Sequence, residues 1–102
     1  MTYPIGTPVE VRSGRDSGRL MRIVGREGDY LLLADGTRRP VDTPKRKNPK
    51  HVRAVPSRAD SIVAQKLLRG EPIRNKELRK DLAVISQEKA DKDQGGIKLG
   101  KR

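Results

Sequence analysis

The sequence predicts a mostly β chain: a small closed or half-closed barrel of five short strands, then a two-helix extension and a flexible tail. Three observations carry that expectation. Up to about Pro56 the chain divides into short alternating or apolar runs separated by glycine-bearing turns, which is the spacing of strands in a small sheet. After Pro56 the apolar residues recur at helical intervals instead. Toward the end, SQEKADKDQGGIKLGKR is polar, glycine-bearing and without a sustained period. The expected organisation is therefore a barrel over 1–56, a helical extension over 57–86 and a disordered basic tail over 87–102.

The first strand, Thr7 to Arg12, sets Val9 and Val11 against Glu10 and Arg12, the alternation of a half-buried strand. The second, Arg19 to Val24, places Met21 and Ile23 on one face, with Leu20 and Val24 on the other beside Arg22. The third, Tyr30 to Ala34, is apolar on both faces and belongs in the middle of the sheet. Asp35-Gly36 is a two-residue hairpin signal of type I′, which requires positive φ at both positions, and it leads into a fourth strand, Thr37 to Asp42. A fifth strand, Val52 to Val55, follows the polar, proline-marked stretch Thr43 to Lys50. Closing these strands on themselves removes exposed edges. Since 1–56 carries all the barrel's strands and turns, it is expected to fold alone, though marginally for its size.

Ser57 with Asp60 three residues on resembles a capping box, predicting a helix from Arg58 to Arg69 with Ile62, Val63 and Leu67 as its stripe and Gly70 as its stop. Asn75 is an N-cap for a second helix to Ile85, with Leu78, Leu82 and Ile85 on one face. Helices this short must pack on each other or on the barrel, or become fixed by a partner.

Composition narrows the function. The 102 residues include 24 Lys and Arg against 13 Asp and Glu, a formal charge of +11, which points to a polyanionic partner such as nucleic acid. There is no cysteine, so disulfides, thiolate catalysis and cysteine-based zinc sites are excluded. The longest apolar run, Tyr30 to Ala34, is too short to span a bilayer, and MTYPIGTPVEV lacks the regions of a signal peptide. The expected location is cytoplasmic. No amphipathic helix has aromatic anchors, which argues against a membrane-surface role.

The most informative segment is Val9 to Val24, VEVRSGRDSGRLMRIV, where one strand enters a loop holding Gly14 and Gly18 and another leaves it. Glycines there allow positive φ and let backbone N–H groups approach a phosphate where a side chain would intrude. Arg12, Arg15, Arg19 and Arg22 surround the loop, and guanidinium forks match phosphate oxygens and guanine edges. Spacing alone fits a tight turn solvated by arginines equally well. A second cluster, Arg38, Arg39, Lys45, Arg46, Lys47, Lys50 and Arg53, places seven cations between positions 38 and 53, opposed only by Asp42. Such runs are commonly solvated loops. Here Pro40, Pro44 and Pro49 restrict the backbone, so less ordering entropy is lost on binding, which favours a phosphate-tracking strip.

Tyr3 and Tyr30 are the only aromatic residues, too few for a base-stacking platform or an aromatic cage, so structured RNA read through backbone and shape fits better than single strands. No catalytic set stands out. His51, the only histidine, lies between Lys50 and Val52 and suits phosphate contact or simple exposure. Glu27 and Asp29 flank a glycine as turn residues do. Gly95 to Lys101 matches G-x-x-x-x-G-K, but Arg102 replaces the Ser or Thr of a P-loop and no strand is expected before it.

The segment VEVRSGRDSGRLMRIV also resembles a KOW motif, the strand-loop-strand of ribosomal and transcription-factor RNA binders, in the order of its valines, Gly14, Arg15, Asp16, Gly18 and Arg19. Met21 stands where many KOW motifs have glycine; the branch that includes the archaeal and eukaryotic large-subunit ribosomal proteins of KOW type takes an apolar residue there. GDYLLLADGTRRPVDTPKRKNPKHV is similar to the small bacterial KOW-domain RNA-binding proteins related to that branch, and PIRNKELRKDL resembles their helical extension, so the resemblance covers roughly Gly6 to Leu82. It implies an SH3-like (KOW) barrel that binds structured RNA, in particular ribosomal RNA, as a ribosomal-protein-like or ribosome-associated component. The expected contact residues are Arg12, Gly14, Arg15, Gly18, Arg19, Arg22, Arg38, Arg39, Lys45, Arg46, Lys47, Lys50, His51 and Arg53. No catalysis, cofactor or metal is expected, and the free protein is expected to be a monomer. The competing readings are a protein-interaction adaptor of the transcription or translation machinery, and nonspecific DNA binding.

Overall fold

The structure, a computed structural model, describes residues 3–57 and 61–93. Five strands form one antiparallel sheet: β1 (Pro8–Val11), β2 (Leu20–Glu27), β3 (Tyr30–Ala34), β4 (Lys45–Lys47) and β5 (Val52–Ala54). Their order across the sheet is β4-β3-β2-β1-β5. A 3₁₀ turn, Pro49–His51, joins β4 to β5, and two helices follow, α1 (Ile62–Arg69) and α2 (Asn75–Asp93). Among the described residues no helix is long and apolar enough to cross a membrane.

Alternation along β1 and β2 sorts the apolar residues onto two faces. Val9, Val11, Met21, Ile23, Leu31, Leu33 and Val52 make one buried cluster, with Tyr3 and Ile5 against it. On the opposite face, Ala34 and Val55 meet Val63 of α1 and Leu78, Leu82 and Ile85 of α2, and Leu20, Val24, Val41, Leu67 and Ile73 pack around them. The β2–β3 register shifts between Ile23 and Gly25, leaving Val24 as the extra residue of a bulge that bends the strand. The hairpin from β2 to β3 turns through Gly28-Asp29, between paired Glu27 and Tyr30. Gly28 has φ +59 and no non-glycine residue described has positive φ, which is the type II′ pattern.

The fourth strand differs from expectation. Asp35-Gly36 does not form a type I′ hairpin, because only Gly36 takes positive φ. The Asp35 carboxylate instead accepts the N–H groups of Thr37 and Arg39, both at 2.9 Å, and closes a bend over 35–39. No strand forms at 37–42. The chain turns again, with Thr43 N–H on the Pro40 carbonyl at 3.1 Å, and pairs only at β4, where Leu33 meets Lys45 and Leu31 meets Lys47. A strand of Lys-Arg-Lys suits a sheet edge, since pairing there needs only backbone and charged side chains discourage a further strand.

The helices also differ in extent. The N-cap of α1 is Ser61, whose hydroxyl accepts from Ala64 N–H at 3.3 Å. The capping box at Ser57 and Asp60 and the helix start at Arg58 fall partly on 58–60, outside the described residues. Gly70 ends α1 as expected, with its N–H on Leu67 and that of Glu71 on Lys66, a Schellman closure. Val63 and Leu67 face the core, but Ile62 is 70% exposed and is not part of the stripe. In α2, Leu78, Leu82 and Ile85 are buried as expected. Asn75 does not cap it: its side chain accepts Val41 N–H at 2.8 Å, while Glu77 reaches back to Arg74 N–H at 2.9 Å. The helix continues to Asp93, through residues read from sequence as the start of a disordered tail; Gln, Glu, Lys and Ala sustain a helix by intrinsic preference without an apolar stripe. Residues 94–102, with the P-loop-like Gly95 to Lys101, lie outside the described part.

Candidate nucleic-acid interface

The loop between β1 and β2 is held by its own backbone. Gly18 N–H donates to Val11 at 2.7 Å, Ser17 N–H to Gly14 at 3.2 Å and Arg19 N–H to Asp16 at 3.0 Å. Gly14 and Gly18 have φ of +88 and +87, so both occupy conformations that an L side chain adopts only with strain. A Cβ at Gly14 would lie 2.7 Å from the Lys47 ammonium, so the end of that flexible side chain sits against the loop and would have to move aside. Lys47 pairs with Leu31 across the ladder and so shares its face; its stem continues the apolar surface while its ammonium emerges over the loop. The loop and the basic strip, distant in sequence, thus meet. A further tie comes from Arg12 N–H, which donates to the His51 carbonyl at 2.7 Å.

Asp16 and Asp35, both buried, organise the rest. Arg39 donates through Nε and Nη2 to Asp16 Oδ2 at 3.0 and 2.8 Å. Arg19 donates to Asp35 Oδ2 at 3.3 Å and lies 4.0 Å from Asp16 Oδ1. With Asp35 bound to Arg39 backbone, the four residues form a closed circuit that fixes the loop to the 35–39 bend. Burial alone pushes the Asp35 carboxyl up, but the N–H groups of Arg39 and Thr37 and the Arg19 guanidinium together hold it below the usual carboxylate range. Neither aspartate is among the expected contact residues. An acid set amid arginines and glycines is the signal that marks Asp16 as an organiser.

Ion pairing divides the expected contact residues. Arg22 must be withdrawn: its side chain is 3% exposed, donates to Asp81 at 2.6 and 3.1 Å, and bonds the Gly6 carbonyl. It faces the helices, and no polyanion reaches it. Arg19 and Arg39 are partly exposed but serve the Asp16–Asp35 circuit. Arg53 pairs with Glu10 at 2.7 Å, and Arg46 with Glu27 at 3.3 Å while lying 4.9 Å from the Tyr30 ring centre. Both of those arginines are more than half exposed, and such pairs hold a side chain only weakly. Arg12, Arg15, Arg38, Lys50 and His51 are exposed, Lys45 and Lys47 half-buried, and none makes an ion pair with a described residue. Among the described residues no group of three or more His, Cys, Asp or Glu is placed to hold a metal ion.

No protein-family model matches this chain, and no curated protein sequence matches it either.

Proposed function

We propose that this chain is a non-enzymatic binder of structured RNA, in particular ribosomal RNA, acting as a ribosomal-protein-like or ribosome-associated component of the cytoplasm. The observation that carries the reading is the meeting of the Lys47 ammonium with the Gly14 loop, which itself carries Arg12 and Arg15, exposed and without an ion pair to a described residue. Buried acids neutralise Arg19 and Arg39 from within, so the outward charge of the loop is positive. Tyr30 already has the Arg46 guanidinium over its ring, which favours backbone contact over base stacking. His51, exposed and bonded through its side chain to none of the described residues, suits a contact group better than a general base.

An SH3-like barrel of KOW type is the frame that suits this surface. Flat, five strands spaced about 4.8 Å apart would separate the two edges by roughly 19 Å. Yet β4 and β5 are those edges, and only residues 48–51, including a 3₁₀ turn, connect them. That short link supports a sheet rolled on itself. So does the cluster formed by Val9, Val11, Met21, Ile23, Leu31, Leu33 and Val52, to which no helix contributes.

The test is filter binding of the full chain to ribosomal RNA, duplex DNA and an RNA polymerase preparation at physiological salt. About four phosphate contacts should give a slope of log K against log salt of roughly −3 to −4 with RNA. The Lys45→Ala, Arg46→Ala, Lys47→Ala variant should flatten it by about 2 and weaken different RNA sequences alike. A folded triple variant with the parental slope and affinity would remove this surface from RNA binding, and preferential capture of the polymerase would favour an adaptor.

A further inference from the structure

The segment Asn75 to Glu88 distributes its charges unevenly around a helix. At about 100° per residue, Leu78, Leu82 and Ile85 form the inward stripe, and Lys76 and Lys80 fall opposite it. Glu77, Asp81 and Glu88 share one flank, and Arg79 takes the other.

Every one of those carboxylates is tied to the body of the protein. Glu77 binds Lys66 at 2.8 Å and the Arg74 N–H; Asp81 binds Arg22 and the Ser61 hydroxyl; Glu88 accepts from the Ser57 hydroxyl at 3.0 Å. Lys76 and Lys80 are exposed and make no ion pair with a described residue. A solvated helix face ordinarily alternates signs at this spacing; two lysines four apart repel and disfavour the helix. A partner of opposite charge relieves that repulsion.

This face adjoins the loop surface. The Gly36 carbonyl accepts from Arg79 at 2.8 Å, and a Cβ on Gly36 would stand 2.5 Å from the Asn75 carbonyl oxygen, so the bend rests against the first turn of α2. The same bend is fastened to the β1–β2 loop through Arg39 and Asp16. Exposed Arg38 lies on the bend between the two.

We infer that Lys76 and Lys80, with Arg79 and Arg38 leading to them, form a second phosphate-contacting face, so that one structured RNA engages both the loop and α2. The inference rests on the RNA-binding reading above and adds a role for the helical extension. Its partner is the sugar-phosphate backbone rather than base edges, because lysine offers a point charge without the planar fork of arginine.

The experiment titrates a fluorescein-labelled RNA hairpin with the full-length parent, the Lys76→Ala, Lys80→Ala variant and the Lys45→Ala, Arg46→Ala, Lys47→Ala variant across a fourfold range of salt. Loss of two phosphate contacts lowers the salt slope by just under 2, so over that range the parent should lose roughly tenfold more affinity than the α2 variant. Circular dichroism should show α2 intact, and backbone amides of 76–80 in the parent should shift on adding RNA. If the α2 variant keeps the parental slope and those amides stay still while the β4 variant binds poorly, this inference is overturned and the RNA reading stands. If the parent itself shows no salt-dependent binding to the hairpin, both fall together.

Discussion

At the scale of single residues, Gly14 and Gly18 separate two uses of the same backbone state. Both carry positive φ, so Gly14→Ala and Gly18→Ala should each cost about 1 to 2 kcal/mol. They should differ in binding. A Cβ at Gly18 meets nothing within 4 Å, whereas at Gly14 it displaces the Lys47 ammonium. RNA affinity, compared where both variants are fully folded, should therefore fall for Gly14→Ala and hold for Gly18→Ala; equal effects would dissociate Lys47 from the loop's function. Asp35 makes a second prediction, read in acid. Its folded carboxyl titrates below its ordinary value, so its stabilisation is fully present above an unfolded value of about 4 and is lost as pH falls through the lower folded one. Urea midpoints should thus decline below about pH 4 more steeply in the parent than in Asp35→Asn. Parallel acid profiles would assign no such linkage to Asp35.

At the scale of elements, a buried ion pair adds to the apolar contacts between sheet and helices. Arg22 of β2 and Asp81 of α2, 3% and 8% exposed, meet at 2.6 Å, and the Ser61 hydroxyl at the cap of α1 adds a bond to the same carboxylate. Arg22→Met should destabilise by about 3 to 5 kcal/mol, because it strands the Asp81 charge away from water. Arg22→Met with Asp81→Leu should recover much of that loss, and a double-mutant cycle by urea denaturation measures the difference. A double variant as unstable as the sum of the singles would show the two residues acting independently. The pair was half legible in the sequence: alternation sets Arg22 on the face of Leu20 and Val24, but it does not say what covers that face. The same limit explains the other departures. β3 reads correctly because five apolar residues flanked by turns leave little choice. β4 escapes notice because Lys-Arg-Lys has no apolar member and joins the sheet by backbone alone. The distal turns of α2 escape because their sequence, SQEKADKD, has no apolar residue larger than alanine to set a period. In the site, the glycine loop is legible from spacing, while its closeness to Lys47 depends on a β3–β4 register that residues 35–44 fix.

At the scale of the whole molecule, the two apolar clusters decide how independent the sheet is. The first belongs to the strands, with Tyr3 and Ile5, and survives loss of the helices on paper. The second is shared: Ala34, with no exposed surface, and Val55 meet Val63, Leu78, Leu82 and Ile85, and Leu20 and Val24 of β2 and Val41 of the turn before β4 pack against the same cluster. Each of those four helix side chains contributes about 1.5 to 3 kcal/mol on burial, a sum of roughly 6 to 12, before the sheet residues they cover are considered. The ordering of the helices opposes that gain, but an ordinary small domain is stable by only about 5 to 15 kcal/mol, so baring the sheet face they cover is a large perturbation. The expectation from strand pattern alone, that 1–56 folds by itself, therefore gives way to a different one. A fragment ending at Ser57 should show poorly dispersed amide resonances and no cooperative urea transition at 25 °C, whereas the full chain should unfold in one step with sheet and helix signals lost together. Leu78→Ala in the full chain should report the same coupling, costing about 2 to 5 kcal/mol and lowering the midpoint seen by β2 amides as much as that seen by α2 amides. A dispersed, cooperatively unfolding fragment, or a Leu78→Ala variant in which α2 melts while β2 holds, would make the helices an appendage and the sheet the folding unit.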